Sequence, residues 1–413
     1  MSSSRIYSLV LLGATGYTGK LCAEYITKQL PTNLKWAVAG RSSSKLEGIV
    51  DGLMKINPDR LQPDILSVNL KKEELDILAR KTRVLLNCIG PYYLYSTPVV
   101  AACAENGTHY LDITGETPWV LELIQKYHDK AKANRAIIIP EIAIESALSD
   151  LLAYIVASII RKSLNCDVRE VICSEHEMKG AGASGGTLAT ILGLMDHYSL
   201  AEIRASTKPF ALSSAPPPKS SSARPLLSYL LGPFSYPDLG ILTTSIAAIP
   251  NVGIVHRSAG LMPQLYGKNF QFTEYLRVSN YALGILMHFA VVFGSLLLAM
   301  KPLRWLIRKL VYQPGQGPTV EATVTDTFEF RAVGVADDSS GGKEKKAMAR
   351  VRYEGGIYYF SGLCLAEGAM VLLENEDLVN GLGGGLLTPA CLGDKFIERL
   401  QKAGVIIEGK MLP

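Results

Sequence analysis

The sequence predicts an α/β protein that begins with a Rossmann domain, a doubly wound parallel sheet, and continues into a second α/β domain. Over the first third of the chain, apolar runs of strand length alternate with stretches of helical spacing. The strand-like runs are residues 7–12, 35–39, 65–68, 84–89, 109–113 and 136–139. A glycine-rich turn, Gly13-Ala-Thr-Gly-Tyr-Thr-Gly19, separates the first strand from the first helix. Strand, glycine turn and helix in this order form the entrance of a dinucleotide-binding fold.

The chain is long enough for two domains. Its 413 residues exceed one ordinary core, and the alternation of strands and helices changes near Leu151. We therefore place a dinucleotide-binding domain in residues 1–150 and a substrate or closure domain in residues 151–380. Residues 206–239 are rich in Ser and Pro and predict an irregular, mobile excursion in the position of a lid.

Composition excludes several classes of function. A net charge of +4, with no basic arm, does not indicate a nucleic-acid-binding surface. The 7 cysteines form no CxxC pair, so we expect reduced core thiols and no metal site. The N-terminus lacks the pattern of a signal peptide, which favours a cytosolic start. With 48% hydrophobic and 19% charged residues, some apolar surface is expected to meet a partner or a lipid.

The glycine turn predicts where the pyrophosphate of a dinucleotide binds. Gly13 and Gly16 let the backbone approach the phosphates, which rest on the free N–H groups of the helix N-terminus. Gly19 lets that helix pack close to the sheet. The predicted cofactor contacts in the turn are Gly13, Thr15, Gly16, Tyr17, Thr18 and Gly19.

The end of the second strand predicts which cofactor is bound. Enzymes that prefer NAD place a carboxylate there for the ribose hydroxyls, whereas this chain has Arg41 and Ser42. A guanidinium attracts the 2′-phosphate that a carboxylate would repel, so we expect NADP(H). The alternative is that Arg41 is a solvated loop charge.

The fourth strand ends in Asn87-Cys-Ile-Gly90-Pro91-Tyr92-Tyr93, at the edge where a doubly wound sheet binds its ligand. We predict that Asn87, Gly90 and Pro91 contact the nicotinamide ribose side of the cofactor. Four proton-donor candidates lie at predicted strand ends or in the loops beyond them, although packing or solvation explains each one equally well. They are Tyr92, Tyr93, Glu145 and His176. Asp112 and Glu116 are expected to bind ribose or to cap helices.

Several motifs together resemble one family. Short-chain dehydrogenases need a Lys four residues after a catalytic Tyr, and none of the 19 tyrosines has one. The chain instead resembles the saccharopine dehydrogenase-like oxidoreductases, which include trans-acting enoyl reductases and an animal lipid-droplet protein. The resemblance rests on the glycine turn, Ala39-Gly-Arg41, Asn87–Tyr92, Pro98–Cys103, Gly107–Asp112, Gly115-Glu116, Gly185–Thr187, Val255–Ser258, Tyr266-Gly267 and Thr388-Pro389. It implies a second domain that closes over the nicotinamide, and a C-terminal segment, residues 381–413, whose helix returns to the first domain.

One segment departs from the family pattern. Where the family usually shows Gly-Phe-Asp-Ser-x-Pro-x-Asp, this chain reads Ala143-Ile-Glu145-Ser-Ala-Leu148-Ser-Asp150. The glycine and proline are lost and the aspartate is lengthened by one methylene. We therefore expect the reaction or substrate to differ from that of relatives.

A charge-free stretch predicts contact with a membrane or lipid droplet. Residues 282–300 are 19 residues without formal charge, about 28 Å of helix, and basic residues follow within residues 282–312. Both flanking parts belong to one compartment, so an in-plane helix or hairpin is favoured over a span. The expected location is the cytoplasmic face of a membrane or lipid droplet. A buried inter-domain or dimer helix is the alternative, and a homodimer is left open.

These observations predict an NADP(H)-dependent oxidoreductase that reduces an activated C=C or C=O bond of an apolar, lipid or polyketide-like substrate. An amino-acid imine is disfavoured because Arg257 is the main cation available for carboxylates. The alternatives are an isomerase-like, non-redox enzyme and a non-catalytic lipid-surface binding protein that keeps the cofactor for structure.

Overall fold

The computed structural model describes residues 5–144, 146–180, 185–218, 226–310, 320–323, 325–338 and 344–413. Within them the strands form two sheets of seven. The strands are β1 (Tyr7–Leu12), β2 (Trp36–Gly40), β3 (Asp64–Ser67), β4 (Thr82–Asn87), β5 (His109–Asp112), β6 (Ile137–Ile139), β7 (Val168–Lys179), β8 (Phe234–Tyr236), β9 (Gly240–Thr244), β10 (Gln271–Val278), β11 (Thr327–Ala336), β12 (Lys346–Glu354), β13 (Gly385–Leu386) and β14 (Ile406–Met411).

Helices cover the first sheet and one face of the second. They are α1 (Tyr17–Gln29), α2 (Ser43–Ile56), α3 (Lys72–Lys81), α4 (Tyr92–Tyr95), α5 (Thr97–Asn106), α6 (Thr117–Ala133), α7 (Ala147–Leu164), α8 (Gly185–His197), α9 (Leu200–Ser206), α10 (Leu226–Leu231), α11 (Ala248–Leu261), α12 (Pro263–Tyr266), α13 (Tyr281–Leu298), α14 (Lys301–Leu310), α15 (Val320–Thr323), α16 (Ile357–Glu374), α17 (Glu376–Leu382) and α18 (Gly393–Lys402). A 3-10 turn, Pro389–Leu392, precedes the last of them.

The first sheet confirms the Rossmann prediction. Its order is β13-β6-β5-β4-β1-β2-β3, and its neighbouring strands are parallel. β1 is apolar throughout because both faces are covered: Leu9 and Leu11 join the core beneath α1 and α16, and Val10 and Leu12 join the core on the other face. Such a sheet binds its ligand at the carboxyl ends of its strands, where the order reverses between β1 and β4.

The second sheet is mixed. Its order is β14-β12-β11-β7-β10-β9-β8, with β7 and β10 parallel and its other neighbours antiparallel. α7 carries the chain out of the first domain and packs against this sheet, so its apolar side chains belong to the same core as those of the first domain. The two domains therefore share one continuous core.

The C-terminal third crosses between the domains more than once, which corrects the predicted boundaries. α16, which the prediction assigned to the second domain, packs on α1, β4 and β5 of the first. Gly362 permits this contact, because a Cβ there would lie 2.9 Å from the Cys22 backbone. β13 extends the first sheet, whereas β14 pairs with β12 in the second sheet.

The Ser- and Pro-rich excursion is more ordered than its composition predicts, so the prediction of an irregular segment is wrong for α10 and β8. Before residue 219, Phe210 stacks on the ring of His256 at 3.8 Å, and Leu212 is buried. Residues 219–225 lie outside the described part.

Candidate functional site

The glycine turn has the geometry that a pyrophosphate site requires. Gly13 has a φ of +90°, and a Cβ on it would lie 2.9 Å from the Cys88 carbonyl carbon. A Cβ on Gly19 would lie 2.2 Å from the Gly13 oxygen, so α1 can approach the turn only with glycine there. Gly16 is the N-cap of α1, and no side chain caps it. The start of the helix thus presents backbone N–H groups and a positive dipole to an anion.

The start of α16, from the C-terminal part of the chain, also reaches this turn. Tyr17 meets Tyr358 edge to face, with ring centroids 5.1 Å apart. Thr15 is exposed, and Thr18 is half-buried. The predicted turn residues therefore lie together at one opening, and the start of α16 forms one of its walls.

Arg41 and Ser42 lie beside a second helix start. Arg41 is exposed at the end of β2, and Ser42 is the N-cap of α2 without a side-chain cap bond. The Ser42 and Ser44 hydroxyls are 3.3 Å apart. A guanidinium, hydroxyls and a helix N-terminus together are suited to bind a phosphate monoester, as the 2′-phosphate of NADP is.

Asn87 has a different role from the predicted ribose contact. Its side chain is fully buried, and its Nδ2 donates to Ser96 Oγ at 2.7 Å and to the Tyr110 hydroxyl at 2.9 Å. Its Oδ1 accepts from the Ile89 N–H at 3.1 Å. Asn87 therefore shapes the loop from inside, because its donors and acceptor are all engaged.

Gly90 and Pro91 lie where the prediction placed them, at the carboxyl edge of the first sheet. Gly90 is exposed and Pro91 is half-buried at the start of α4. The backbone of this loop, rather than the Asn87 side chain, faces the cofactor side of the edge.

Tyr92 is a packing residue, which corrects its prediction as a proton donor. It is 6% exposed, stacks at a tilt on Trp119, and its hydroxyl donates to the Asn87 carbonyl at 3.2 Å. Burial raises the pKa of this phenol well above its usual range. The hydroxyl of Tyr92 is therefore engaged within the protein.

Glu116 caps the short helix that follows β4, one of the two predicted roles. Its carboxylate accepts from the N–H groups of Tyr92 at 2.8 Å and Tyr93 at 2.6 Å. Burial raises the pKa of Glu116 to about 7. Tyr93 is half-buried against α8: its hydroxyl would lie 2.3 Å from a Cβ on Gly193, and its ring packs on His197. Tyr93 remains a candidate at the rim of the cleft.

Asp112 fixes the neighbouring loops. It accepts from the Tyr110 hydroxyl at 2.7 Å and from the N–H groups of Thr114 at 3.0 Å and Glu141 at 3.2 Å. Burial raises its pKa to about 6. This buried carboxylate orders the carboxyl ends of β5 and β6 rather than binding ribose.

The structure does not bring His176 to the cleft. Burial and the neighbouring charges of Arg331 and Arg277 lower its pKa to about 4. In the second sheet, strand alternation places both arginines on the face that carries Tyr275. The opposite face of the sheet, which carries Cys173, packs against the core of the first domain. The charges that surround His176 are therefore on the face turned away from the first domain. A β-bulge at this position gives β7 an extra residue. Glu145, the fourth candidate, lies outside the described residues.

Sequence reasoning missed a set of buried polar residues between the domains. Ser146, Ser149, Asn251 and Glu274 form one hydrogen-bonded group with Glu141. Several of its contacts join residues about a hundred positions apart, such as Ser146 and Asn251 at a separation of 105. A single sequence carries no signal for such pairs except the rarity of a carboxylate in an apolar strand, as at Glu274.

The fold and the geometry of its glycine turn define a dinucleotide-binding protein of the Rossmann type. Residues 9–139 match the family model described as the saccharopine dehydrogenase NADP binding domain. Residues 9–139 therefore form an NADP-binding domain similar to that of saccharopine dehydrogenase, as the resemblance predicted, and the similarities support an NADP-dependent reductase. It is 29% identical to a trans-acting enoyl reductase of Mycobacterium bovis, covering 98% of both chains. It is 28% identical to that of Mycobacterium ulcerans, covering 100% of this chain and 99% of the relative.

A solved structure confirms the fold. The saccharopine dehydrogenase (L-Glu forming) of Saccharomyces cerevisiae superposes with a TM-score of 0.59 at 13% identity, covering 98% of this chain and 99% of that chain. The Rossmann sheet, the second α/β domain and the C-terminal return are thus a known architecture.

Proposed function

We propose that this reductase acts on an activated C=C or C=O bond of an apolar, lipid or polyketide-like substrate at the cytoplasmic face of a membrane or lipid droplet. NADPH, when bound, supplies the hydride. The glycine turn and Arg41 hold its phosphates, and the loop after β4 closes the nicotinamide end. The names of the full-length relatives support enoyl reduction.

The placement of Arg257 supports an uncharged substrate and is the observation on which this part of the proposal depends. Arg257 is 4% exposed, and its guanidinium donates to the carbonyls of Leu212, at 2.7 Å, and Leu386. It also lies 3.2 Å from His128 Nδ1. Because these partners engage the guanidinium, it joins α11 to the first sheet and is not free to bind a substrate carboxylate. This argues against an amino-acid imine.

The apolar helix supports the membrane site. α13 is apolar along 18 residues, yet only 6% of it is buried inside the protein. α16 passes the same test of length and composition but is 72% buried, as a core helix is. Large apolar side chains are exposed on α13 and on the neighbouring α10 and α14, and we call this set of residues the apolar patch. They are Leu227, Tyr229, Leu230, Tyr281, Leu283, Leu286, Phe289, Val292, Phe293, Leu296, Leu297, Met300, Trp305 and Leu306.

Both ends of this patch are fixed to the second domain. Thr243 Oγ1 donates to the Gly284 carbonyl at 2.8 Å near the start of α13, and Arg304 on α14 donates to Asp196 on α8 at 2.6 Å. β10 before the helix and β11 after it lie in the same sheet. The chain therefore returns to the side from which it left, and we propose that α13 lies in the lipid interface rather than across it.

Oxidation of NADPH by a panel of enoyl thioesters, ketones and imines, followed by absorbance, tests the proposed reaction. We expect turnover with an apolar enoyl or keto substrate and none with amino-acid imines. Gly16→Val, which fills the phosphate mouth, should abolish turnover, whereas Gly52→Ala, whose Cβ meets nothing within 4 Å, should not. NADPH binding without oxidation by any substrate would support the non-catalytic alternative.

A further inference from the structure

One buried arginine joins the helices of the apolar patch to α8. The side chain of Arg304 on α14 is 3% exposed, although its neighbours Trp305 and Leu306 are 60% and 47% exposed. Its Nε and Nη2 both donate to Asp196 Oδ1 on α8, at 3.0 Å and 2.6 Å. Its Nη1 donates to the Leu298 carbonyl at the end of α13, at 2.6 Å. This guanidinium therefore holds α13, α14 and α8 together.

Another face of α8 packs on the loop after β4, at the ligand edge of the first sheet. A Cβ on Gly193 would collide with the Tyr93 hydroxyl, so the helix backbone lies directly against that side chain. The ring of His197 packs on the same tyrosine, with centroids 4.7 Å apart. The Thr190 hydroxyl donates to Glu116, the carboxylate that caps the loop. Residues 190, 193 and 197 share one face of the helix, and this face meets the loop.

In water, the rest of the protein holds the helices of the apolar patch through few buried contacts. Only 6% of α13 is buried inside the protein. Polar contacts fasten its first half to β9, from Thr243 to the Gly284 carbonyl and from Thr244 to His288 Nδ1, at 2.8 Å each. An element with little buried apolar surface opens locally at a low cost in free energy. A lipid surface buries the exposed side chains of α13 and α14 and so restrains both helices.

We propose that binding of the apolar patch to a phospholipid surface restrains α8 through the Arg304–Asp196 pair, orders the loop after β4 and thereby strengthens NADPH binding. This inference rests on the lipid contact in the proposed function. Arg304 and Asp196 are positioning residues, because they act on the loop through α8. Coupling between two binding sites is reciprocal, so NADPH strengthens binding to the lipid surface by the same factor. The reductase is then loaded with cofactor where an apolar substrate is dissolved.

Equilibrium dialysis of NADPH with and without vesicles tests the coupling and needs no turnover. The vesicles consist of phosphatidylcholine with a minor fraction of phosphatidylserine. The wild-type protein should bind NADPH at least about fivefold more tightly when the vesicles are present, the lower end of the usual range for coupled sites. Leu286→Glu, which should no longer bind vesicles, should show no such increase and should have the wild-type affinity in their absence.

Asp196→Asn tests the contact through which the two sites are coupled. It should abolish the increase in NADPH affinity, although α13 still carries the variant to the vesicles. Asp196→Glu keeps a carboxylate for the guanidinium and should retain most of the increase. A purely structural defect would weaken NADPH binding equally with and without vesicles, so the ratio of the two dissociation constants reports the coupling. Asp377→Asn, the same change at an exposed position on α17, should keep the wild-type ratio.

Gly193→Ala tests the other contact of α8 and replaces Asp196→Asn if that variant does not fold. The added methyl group displaces the Tyr93 side chain from α8. The ratio of dissociation constants should therefore fall toward one, while sedimentation with vesicles stays unchanged. Wild-type protein that binds vesicles without binding NADPH more tightly would overturn the inference. A wild-type ratio in both Asp196→Asn and Gly193→Ala would also overturn it.

Hydrogen exchange separates this inference from the proposed lipid contact. In the wild-type protein, vesicles should slow amide exchange in α13, in α8 and in the loop after β4. Asp196→Asn should keep the protection of α13 and lose that of α8. Protection of α13 with unchanged exchange in α8 of the wild-type protein contradicts the coupling alone. Unchanged exchange in α13 contradicts the proposed lipid contact, and this inference with it.

Discussion

Arg41 and Glu116 have different roles at the cofactor cleft. Arg41 lies exposed at the end of β2 and keeps its charge available to a ligand, whereas Glu116 is buried and caps the loop after β4. Polar residues at the carboxyl edge of the sheet therefore fall into two groups, those that meet the cofactor and those that hold the loops in place.

Arg41→Ala tests the contact with the 2′-phosphate. Loss of a charge-assisted hydrogen bond of about 1.5–3 kcal/mol should weaken NADPH binding by roughly tenfold to a hundredfold. NADH, which lacks this phosphate, should bind as before. Fluorescence titration with NADPH and with NADH gives the two dissociation constants and their ratio. Lys55→Ala, which removes an exposed charge at the other end of α2, should change neither affinity. Equal losses for NADPH and NADH would contradict the assignment.

His256 should make the free energy of unfolding depend on pH in the acid range. Its Nε2 accepts from the Phe272 N–H at 3.1 Å, and burial lowers its pKa to about 3. The folded pKa is below the unfolded value of about 6.5, so the stabilisation is present above pH 6.5 and is lost as pH falls toward 3. Urea unfolding across this range should show His256→Gln with a flatter acid slope. The exposed His197→Gln should keep the wild-type slope.

At the scale of helices and strands, the elements that can be predicted are those with a clear local pattern in the sequence. β1 has the bounds that its apolar run predicted, and α13 matches the charge-free stretch. The sequence patterns of residues 320–331 and 347–360 each favour a strand, whereas the structure has the short helix α15 at the start of the first segment and the start of α16 at the end of the second. α16 is buried on most sides, so its apolar residues show no clear helical period.

Leu286→Glu tests α13 as a lipid-binding element. Leu286 is 65% exposed, so a carboxylate there leaves the fold intact but opposes entry into an apolar phase. We expect the wild-type protein to sediment with phospholipid vesicles and the variant to remain largely in the supernatant. Leu200→Glu, at 67% exposure on α9, provides the same change of charge away from the patch and should still sediment. Equal sedimentation of both variants would show that α13 is not the contact.

At the scale of the whole molecule, the C-terminal chain joins the two domains. Glu367 on α16 accepts from the Tyr25 hydroxyl at 2.7 Å and pairs with Arg399 on α18. β13 then completes the first sheet and β14 the second. The Rossmann half and the cofactor turn could be predicted from sequence, since their motifs are contiguous. The crossing of the C-terminal chain and the buried hydrogen-bonded group around Asn251 and Glu274 depend on residue pairs far apart in the chain, which one sequence does not reveal.

Gly362→Val tests this link between the domains. The added side chain meets the Cys22 backbone, and such overpacking costs about 1–3 kcal/mol. Because α16 also carries Tyr358 to the cofactor turn, we expect a lower midpoint of thermal unfolding together with weaker NADPH binding. Gly381→Ala, where a Cβ meets nothing within 4 Å, should change neither. A lower midpoint of thermal unfolding with an unchanged affinity for NADPH would show that α16 does not contribute to the cofactor site.

The most direct test of the central claim, NADPH-dependent reduction, uses NADPH that carries deuterium at the transferred position. The product of an apolar enoyl or keto substrate is then analysed by mass spectrometry. Reduction predicts two hydrogens added per molecule, one of them deuterium from the cofactor. A product with the mass of the substrate and no deuterium would contradict reduction and indicate isomerisation.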